Sequence, residues 1–240
     1  MPEQITLYTA KVCPYAHRVE LALAEAGAHF TRYEIDLSNK PEWYAPKVNP
    51  ASKVPAIAYG GPQVPPDQPS PESVKIAESL VLLEFVADLF PEAKLLPSDP
   101  VLRAKARYFI DAVSTKFNPA YIGYVLKGES TQEQVFKAFE DLQALLPEKG
   151  YVVGEWSIAD AAWAPFVARL LLLLELDLGV YPAGEGPKTL ETILKDPKFA
   201  RVQQWWKDVS SRQSFTSTFH RDYLIESFKK RFASFKRAGQ

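Results

Sequence analysis

The residues best suited to chemistry stand at positions 11–18, which read Lys-Val-Cys-Pro-Tyr-Ala-His-Arg. Cys13 follows a predicted strand and directly precedes Pro14, a residue type favoured at the first position of a helix. A thiol there faces free backbone N–H groups and the positive end of the helix dipole, and both lower its pKa. We therefore expect Cys13 to be a nucleophile. His17 and Arg18 could add positive potential, although His17 could equally face solvent and Arg18 could form a structural ion pair.

Cys13 is the only cysteine of the chain, and position 16, where a dithiol redox motif has its second cysteine, is alanine. A mixed disulfide on Cys13 therefore needs an external thiol to resolve it, and glutathione is the obvious cytosolic candidate. A single cysteine also excludes an internal disulfide framework and a multi-cysteine zinc site. The three histidines (His17, His29 and His220) have no ligand-like spacing, so we expect no metal.

The composition favours a globular chain without a polyanionic partner. With 240 residues, of which 47% are hydrophobic, it can form one large domain or two small ones. Its 28 basic and 29 acidic residues nearly balance, which argues against nucleic-acid binding, since phosphate binding needs surplus Lys and Arg. The N-terminus has no signal-peptide pattern, and the leucine run at residues 170–174 is far too short for a membrane span. We expect a cytoplasmic protein with no membrane partner.

Strand and helix patterns alternate over about the first ninety residues. Apolar periodicity predicts strands at residues 5–8, 29–36 and 56–59, and helices at residues 14–26, 41–48 and 77–89. With one further strand, the order is β-α-β-α-β-β-α, typical of a small sheet with helices on its faces. Residues 60–71 contain five prolines and two glycines, which predicts an insertion loop between two strands. That loop is either a tolerated surface extension, or a flap or dimer contact.

Strand patterns nearly vanish beyond a proline-bearing linker at residues 92–100. Amphipathic stretches predict helices at residues 101–125, 131–146, 158–176, 197–210 and 215–238, and residues 157–160 have the form of a capping box. We therefore predict an α/β domain over residues 1–91 and an all-α domain over residues 101–240. The last twenty residues carry six basic and two acidic side chains. We expect this helix to dock on the protein rather than bind a membrane, through Leu224, Phe228, Phe232 and Phe235.

Four motifs in order resemble the cytosolic glutathione transferases, and within them the cysteine-dependent omega class. Residues 13–18 are similar to the omega motif Cys-Pro-aromatic-Ala-x-Arg, and residues 39–43 match its Asn-Lys-Pro-Glu-Trp element. Residues 49–55 resemble the segment that leads to the family's cis-proline, and residues 78–79 resemble its acid-serine pair. The resemblance spans nearly the whole chain. It implies a thioredoxin-like N-terminal domain and an all-helical C-terminal domain, and the long proline-rich loop fits a divergent, fungal-type branch.

The resemblance also implies how glutathione would bind. Val54, before a cis peptide at Pro55, would pair its backbone with the cysteinyl part of glutathione. Ser79, at a helix N-terminus, would bind the γ-glutamyl carboxylate, and Glu78 would face the amino group. The glycyl carboxylate would be neutralised by Lys40 and Lys53, although either lysine taken alone could be a solvated side chain.

In this family the acceptor site lies between the domains and faces the first helix of the helical domain. Phe117, Tyr121 and Tyr124 share one face of that helix, and we expect them to line an aromatic pocket with Tyr15 as its floor. The alternative is that the stripe belongs to the core, since aromatic residues dominate cores. An aromatic pocket would suit phenols or aromatic ketones.

These residues favour an enzyme. Cys13 would attack a glutathionyl mixed disulfide, or the sulfur of an S-glutathionyl aromatic ketone, and a second glutathione would regenerate the thiol. The alternative is a ligandin that binds polyphenols or other aromatic molecules with little turnover. A third interpretation, an interaction module, has no use for Lys40, Glu78 and Ser79 beside Cys13. The resemblance further implies a homodimer.

Overall fold

The computed structural model describes the backbone of residues 3–238 and the side chains of residues 3–233. A sheet lies in the N-terminal part. Its strands are β1 (Ile5–Thr9), β2 (Thr31–Glu34), β3 (Ala56–Tyr59) and β4 (Val74–Ala77), in the spatial order β2-β1-β3-β4. Strands β1 and β2 run parallel, and β3 is antiparallel to both β1 and β4. With helices α1 (Pro14–Glu25), α2 (Tyr44–Lys47) and α3 (Ser79–Leu89), this is the predicted α/β order.

Helix α1 begins and ends where the sequence predicts. Pro14 is its first residue, and Gly27, with a φ of +58°, takes the left-handed conformation that commonly ends a helix. All residues of α1 from Ala16 to Leu23 are buried. They contact α3 and a central helix, α7 (Ile158–Glu175), so one hydrophobic core runs through both halves of the chain.

The second half of the described chain is helical apart from short connections and two isolated β-bridges near residue 153, as predicted. Its first helix runs through α4 (Pro100–Ala112) and α5 (Asn118–Ile122), with π-helical turns after each, to Lys127. The other helices are α6 (Gln132–Gln143), α7, α8 (Glu185–Lys195), α9 (Ala200–Ser210), α10 (Gln213–Thr218) and α11 (Arg221–Ala238).

The largest differences between the predicted and observed elements are a shifted start, a broken helix and a helix that was not predicted. Helix α3 starts at Ser79 rather than residue 77, because Ala77 still pairs with Ala56 in the sheet. The predicted helix at residues 215–238 is broken at Phe219, whose backbone is extended. Helix α8 was missed because Pro187 and two glycines obscure its pattern; the proline lies in the first turn, where a missing N–H costs little.

Helix α7 carries the predicted capping box. The Ser157 hydroxyl accepts a hydrogen bond from Ala159 N at 3.2 Å, and the Asp160 carboxylate accepts one from Ser157 N at 3.0 Å. Asp160 also accepts a hydrogen bond from Trp205 Nε1 at 2.8 Å, deep in the core. Burial raises the pKa of Asp160 to about 6, although the hydrogen bonds that it accepts from Ser157 and Trp205 favour the carboxylate. The cap thus also ties α7 to α9.

The proline-rich segment at residues 60–71 forms a loop between β3 and β4, as predicted. Tyr8 Oη donates to Pro66 O at 2.8 Å, and Gln4 Nε2 donates to Pro62 O at 2.7 Å. These bonds hold the loop against β1 and the residue before it. None of its residues lines the two clefts described below.

Helix α11 is docked rather than free over its described part. Leu224, Phe228 and Phe232 are buried, whereas the Phe235 side chain lies outside the described residues. None of the helices in the described part of the chain has the length and apolar character that crossing a bilayer requires.

Candidate active site

Cys13 is the N-cap residue of α1 and precedes Pro14, as predicted. Its side chain is partly exposed, and Sγ lies 3.8 Å from the carbonyl oxygen of Val54. The backbone N–H of Cys13 donates to Ala10 O at 2.9 Å, and its carbonyl accepts a hydrogen bond from His17 N at 3.1 Å. The loop between β1 and α1 therefore fixes the thiol opposite Val54.

The pKa of the Cys13 thiol is raised above its ordinary value, although the helix N-terminus lowers it as predicted. Burial is the largest cause, because it disfavours the charged thiolate. The expected opposing contributions are present but smaller. They come from the backbone N–H groups of Ala16 and Tyr15 and from the Arg18 guanidinium. The Arg169 guanidinium, which the sequence analysis did not name, also favours the thiolate.

A buried arginine of α7 fixes the loop that precedes α1 by hydrogen bonds to its backbone. Arg169 donates to Lys11 O at 2.8 Å and to Val12 O at 3.0 Å. Its Nη1 lies 3.1 Å from His17 Nδ1, which must accept because a guanidinium only donates. His17 Nε2 then carries the ring proton and donates to Thr218 Oγ1 at 2.9 Å.

His17 is buried, which excludes the solvent-facing alternative. Burial and the neighbouring Arg169 charge place the His17 pKa well below its ordinary value, so the imidazole is neutral at pH 7. The prediction that His17 adds positive potential is therefore wrong. Arg169, from the other half of the chain, is the charged group that favours the Cys13 thiolate most.

A cleft of about 470 Å³ opens at Cys13, and we call it the thiol cleft. It brings together eight residues that the sequence and its family resemblance singled out, although they come from separate stretches of the chain. Leu37 and Asn49 also line it and were not predicted as site residues. The lining consists of Cys13, Tyr15, Leu37, Lys40, Asn49, Lys53, Val54, Pro55, Glu78 and Ser79.

The loop that carries the cis peptide is fixed by side chains around the thiol cleft. The Val54–Pro55 peptide bond is cis, as predicted. Lys40 Nζ donates to Ser52 O at 2.6 Å, and Asn49 Nδ2 donates to the backbone carbonyl of Lys53 at 2.8 Å. These bonds hold the backbone of Val54 beside the thiol, as a strand-like partner for a peptide would require.

Glu78 and Ser79 place the N-terminus of α3 at the thiol cleft. Glu78 has a φ of +72°, a conformation that costs a non-glycine residue roughly 1–3 kcal/mol and is concentrated at functional sites. Ser79 Oγ accepts a hydrogen bond from Arg18 Nη1 at 3.2 Å. Because the arginine can only donate, the Ser79 hydroxyl proton remains available for an anion at the helix N-terminus.

Arg18 does not form the ion pair that the sequence allowed. Among the described residues its recorded partners are Ala162 O, 2.8 Å from Nε, and the Ser79 hydroxyl, and no carboxylate lies within salt-bridge distance. Nor do the described side chains group three or more His, Cys, Asp or Glu residues in a way that could hold a metal ion.

Comparisons with known proteins agree with this geometry. The family profile described as glutathione S-transferase, N-terminal domain, matches residues 12–89. A probable glutathione S-transferase of Nicotiana tabacum is 30% identical over 91% of this chain and 90% of its own. The crystal structure of glutathione transferase Omega 1C from Trametes versicolor is 59% identical, with a TM-score of 0.94 over 97% of this chain and 98% of its own. The chain belongs to the omega class of the glutathione transferases.

A further related structure is that of a complex with a small aromatic molecule. Glutathione transferase Omega 2S from Trametes versicolor, in complex with 2,4-dihydroxybenzophenone, is 49% identical to this omega-class transferase. Its TM-score is 0.90 over 95% of this chain and 99% of that chain.

A second cleft of about 500 Å³, which we call the helix cleft, shares Tyr15, Glu78 and Ser79 with the thiol cleft. It lies between the start of α3 and the long helix at residues 100–127 of this omega-class transferase. Its other lining residues are Arg18, Leu80, Ser114, Asn118, Pro119, Ile122, Gly123, Lys127 and Glu129.

The three aromatic residues expected to line an acceptor pocket are buried and line neither cleft. Phe117 packs edge-to-face on Trp163, with ring centroids 5.6 Å apart. The Tyr124 hydroxyl donates to Glu185 at 2.7 Å, and burial raises its pKa. Burial also raises the pKa of Tyr121 to about 12. The core alternative describes this stripe better than the pocket does.

The prediction assigned the wrong face of this helix to the cleft. Positions 114, 118 and 122 recur every four residues and line the helix cleft, whereas the aromatic positions lie on a neighbouring face. Arg169 was missed as well, yet it left a signal: an arginine directly before five leucines in an apolar helix. A buried charge of this kind requires several fixed hydrogen-bond partners.

Proposed function

We propose that this omega-class transferase is a glutathione-dependent thiol transferase in which Cys13 is the nucleophile. The observation that carries the proposal is the position of Cys13. Its thiol stands at the start of α1, opposite the Val54 carbonyl, in a cleft lined by Lys40, Lys53, Glu78 and Ser79. A serine or tyrosine hydroxyl that would activate free glutathione does not occupy this position.

The Cys13 thiolate attacks the glutathionyl sulfur of a mixed disulfide, so that a Cys13–glutathione disulfide forms and the acceptor leaves as a thiolate. With an S-glutathionyl aromatic ketone, the carbon–sulfur bond breaks instead. The acceptor leaves as an enolate, which takes a proton to give the reduced ketone. In both cases a second glutathione attacks the Cys13 disulfide, releases oxidised glutathione and restores the thiolate.

The glutathionyl group is held by the thiol cleft in the manner of a bound peptide. The Val54 backbone pairs with its cysteinyl part, and Pro55 shapes the turn. Ser79 binds the γ-glutamyl carboxylate, Glu78 its amino group, and Lys40 with Lys53 the glycyl carboxylate. Tyr15, exposed between the two clefts, contacts the acceptor.

Intact-mass measurement tests the nucleophile directly. The reduced protein is incubated with oxidised glutathione, and we expect one glutathione adduct, which excess reduced glutathione removes. Absence of an adduct, or an adduct that persists in the Cys13→Ser variant, contradicts the assignment. The same sequence of measurements with glutathionylated phenacyl compounds then tests the ketone reaction.

A second function, binding of polyphenols with little turnover, is supported by the related structure with 2,4-dihydroxybenzophenone and by the size of the helix cleft. We expect that compound to bind the Cys13→Ser variant with unchanged affinity. Negligible reductase turnover by the wild type, together with such binding, would favour the ligandin over the enzyme.

A cytoplasmic homodimer is the assembly we propose. Apolar side chains at Val74, Val81 and Tyr108 are more than half exposed on β4, α3 and α4, and a partner would cover them. Light scattering on the purified protein is expected to give twice 26.9 kDa. A monomeric mass at micromolar concentration contradicts the dimer.

A further inference from the structure

His17 connects a buried arginine on one side of its ring to a hydroxyl group on the other. Its Nδ1 lies 3.1 Å from Arg169 Nη1, and its Nε2 lies 2.9 Å from Thr218 Oγ1. The Thr218 hydroxyl donates its own proton to Ser214 O at 2.7 Å, so towards His17 it accepts. Because a guanidinium can only donate, both neighbours require the same tautomer of His17, with the proton on Nε2.

The plane of the His17 ring is fixed by the same part of the chain that supplies Thr218. The Phe219 ring stacks on it, with centroids 6.0 Å and planes 20° apart, and the Phe215 centroid lies 5.8 Å away. Since His17 is 2% exposed, solvent offers neither ring nitrogen another partner. The end of α10 therefore determines both the orientation and the tautomer of His17.

The ring is also kept neutral, which its bond to Arg169 requires. Burial is the largest cause of the lowered pKa of His17, and the neighbouring groups Arg169 and His220 lower it further. A neutral ring with its proton on Nε2 keeps a lone pair on Nδ1, where it can accept from the guanidinium.

Arg169 carries this arrangement to the thiol. Within the described residues, His17 is the side-chain acceptor of Arg169, and its other recorded acceptors are backbone carbonyls, among them Lys11 O and Val12 O. The Val12 carbonyl belongs to the peptide bond whose nitrogen is that of Cys13. The bond from Arg169 to Val12 O therefore sets the plane of the peptide group that precedes the thiol.

We propose that Thr218 is a positioning residue for the Cys13 thiol and acts through His17 and Arg169. Without the Thr218 oxygen, the proton on Nε2 has no acceptor. Moving that proton to Nδ1 would set two donors against each other, so Arg169 would turn away from the backbone carbonyls that it fixes. The effect on turnover rests on the proposed role of Cys13, whereas the effect on the reactivity of the thiol does not.

The tautomer of His17 tests the first step in the wild type, without a substitution beside the thiol. Long-range proton–nitrogen NMR correlation spectra at pH 7 distinguish a ring protonated on Nε2 from one protonated on Nδ1. The chain has three histidines, so the variants His29→Gln and His220→Gln identify the signals of the other two. We expect the proton on Nε2 of His17, and a ring protonated on Nδ1 overturns the proposal.

Thr218→Val removes the acceptor and keeps the shape of the side chain. With the mixed disulfide of glutathione and 2-mercaptoethanol as substrate, we expect kcat to fall about fivefold. The KM for glutathione is expected to stay nearly unchanged, because the thiol is displaced while the residues proposed to bind glutathione are intact. Thr218→Ser retains the hydroxyl and is expected to keep kcat within about twofold of the wild type.

Thr216→Val is the matched control for this substitution. It removes an exposed threonine hydroxyl of the same helix, which bonds to Gln213 O, and we expect kcat to be unchanged. Equal losses of kcat in Thr218→Val and Thr218→Ser contradict the proposal, because the hydroxyl group is then not what matters. An equal loss in Thr216→Val contradicts it as well.

The pH dependence of Cys13 alkylation by iodoacetamide separates positioning from a merely structural role. Because Arg169 favours the thiolate, its displacement in Thr218→Val is expected to move the midpoint of the alkylation profile upward by roughly half a pH unit. An unchanged profile overturns the proposal, whatever the melting temperature of the variant. A shifted profile with unchanged kcat supports the positioning of the thiol by Thr218 and contradicts the role of Cys13 as the nucleophile.

Discussion

The thiol cleft and the helix cleft share Tyr15, Glu78 and Ser79, yet they differ in how their residues are held. The thiol cleft is built from loops whose backbone is fixed by short-range hydrogen bonds, such as Lys40 to Ser52 O. The helix cleft is a gap between packed helices. The residues that line it therefore depend on which face each helix turns toward the gap. Local motifs therefore determine the first cleft, and packing determines the second.

The largest expected effect is the loss of turnover when the proposed nucleophile of the thiol cleft is replaced. Replacing Cys13 with serine removes the nucleophile, and we expect thiol-transferase turnover to fall by on the order of a thousandfold or more. Glutathione binding, measured by calorimetry, is expected to change less than threefold. Tyr8→Phe is the control. The Tyr8 hydroxyl bonds to Pro66 O outside the clefts, so we expect turnover to be unchanged in this variant. Full turnover in the serine variant would show that a hydroxyl activates glutathione instead.

Ser79 lines both clefts, and we expect its replacement to weaken the binding of glutathione. Ser79→Ala is expected to raise the KM for glutathione on the order of tenfold with little change in kcat, because a hydrogen bond to a carboxylate is worth about 1.5–3 kcal/mol. Ser73→Ala removes a hydroxyl of similar burial that bonds to Ser70 O outside the clefts. Equal effects of the two variants on KM would remove Ser79 from the glutathione site.

Arg169 makes the thiol cleft depend on the helical half of the chain. Lysine keeps the charge but not the planar fork that reaches Lys11 O and Val12 O. We expect Arg169→Lys to lower kcat about tenfold, or about 1.4 kcal/mol in the barrier, with KM nearly unchanged. The control is Arg201→Lys, because Arg201 also bonds backbone carbonyls but far from the thiol. A KM effect without a kcat effect would contradict the positioning role.

The raised pKa of Cys13 sets the pH dependence of the free thiol cleft. The thiol is mostly protonated at pH 7, and the thiolate fraction grows about tenfold per pH unit until the pKa is passed. The alkylation rate of Cys13 with iodoacetamide, followed by mass spectrometry, is therefore expected to rise steeply through pH 7–9. A rate that is already level at pH 7 would mean that the helix N-terminus and Arg169 outweigh burial.

The smallest expected effect lies at the exposed rim of the thiol cleft. Lys40→Ala is expected to raise the KM for glutathione only about two- to threefold, since exposed ion pairs contribute roughly 0–1 kcal/mol. Lys47→Ala, outside the cleft lining, is the matched control and should leave KM unchanged. The Lys40 effect should shrink further in high salt, because screening weakens surface charges. An effect that salt does not change would point to the Ser52 contact instead.

Some elements were readable from the sequence because their signals are local. Pro14 and Gly27 mark the two ends of α1, and the capping box at residues 157–160 marks the start of α7. The helix at Glu185–Lys195 left a weaker signal, since Gly186 and Pro187 conceal its pattern. The break at Phe219 left none, because no glycine or proline stands near it.

The sequence by itself determined the family, the cysteine at the start of α1 and most of the residues that surround it in the thiol cleft, because each stands in a short motif whose backbone geometry its neighbours fix. Only the tertiary structure decided the charges around that cysteine. Burial makes His17 neutral, and helix packing places Arg169 behind the thiol loop. The same packing buries Arg18 with no carboxylate of the described residues beside it. Desolvation depends on atoms brought together from distant parts of the chain, and no local pattern records it.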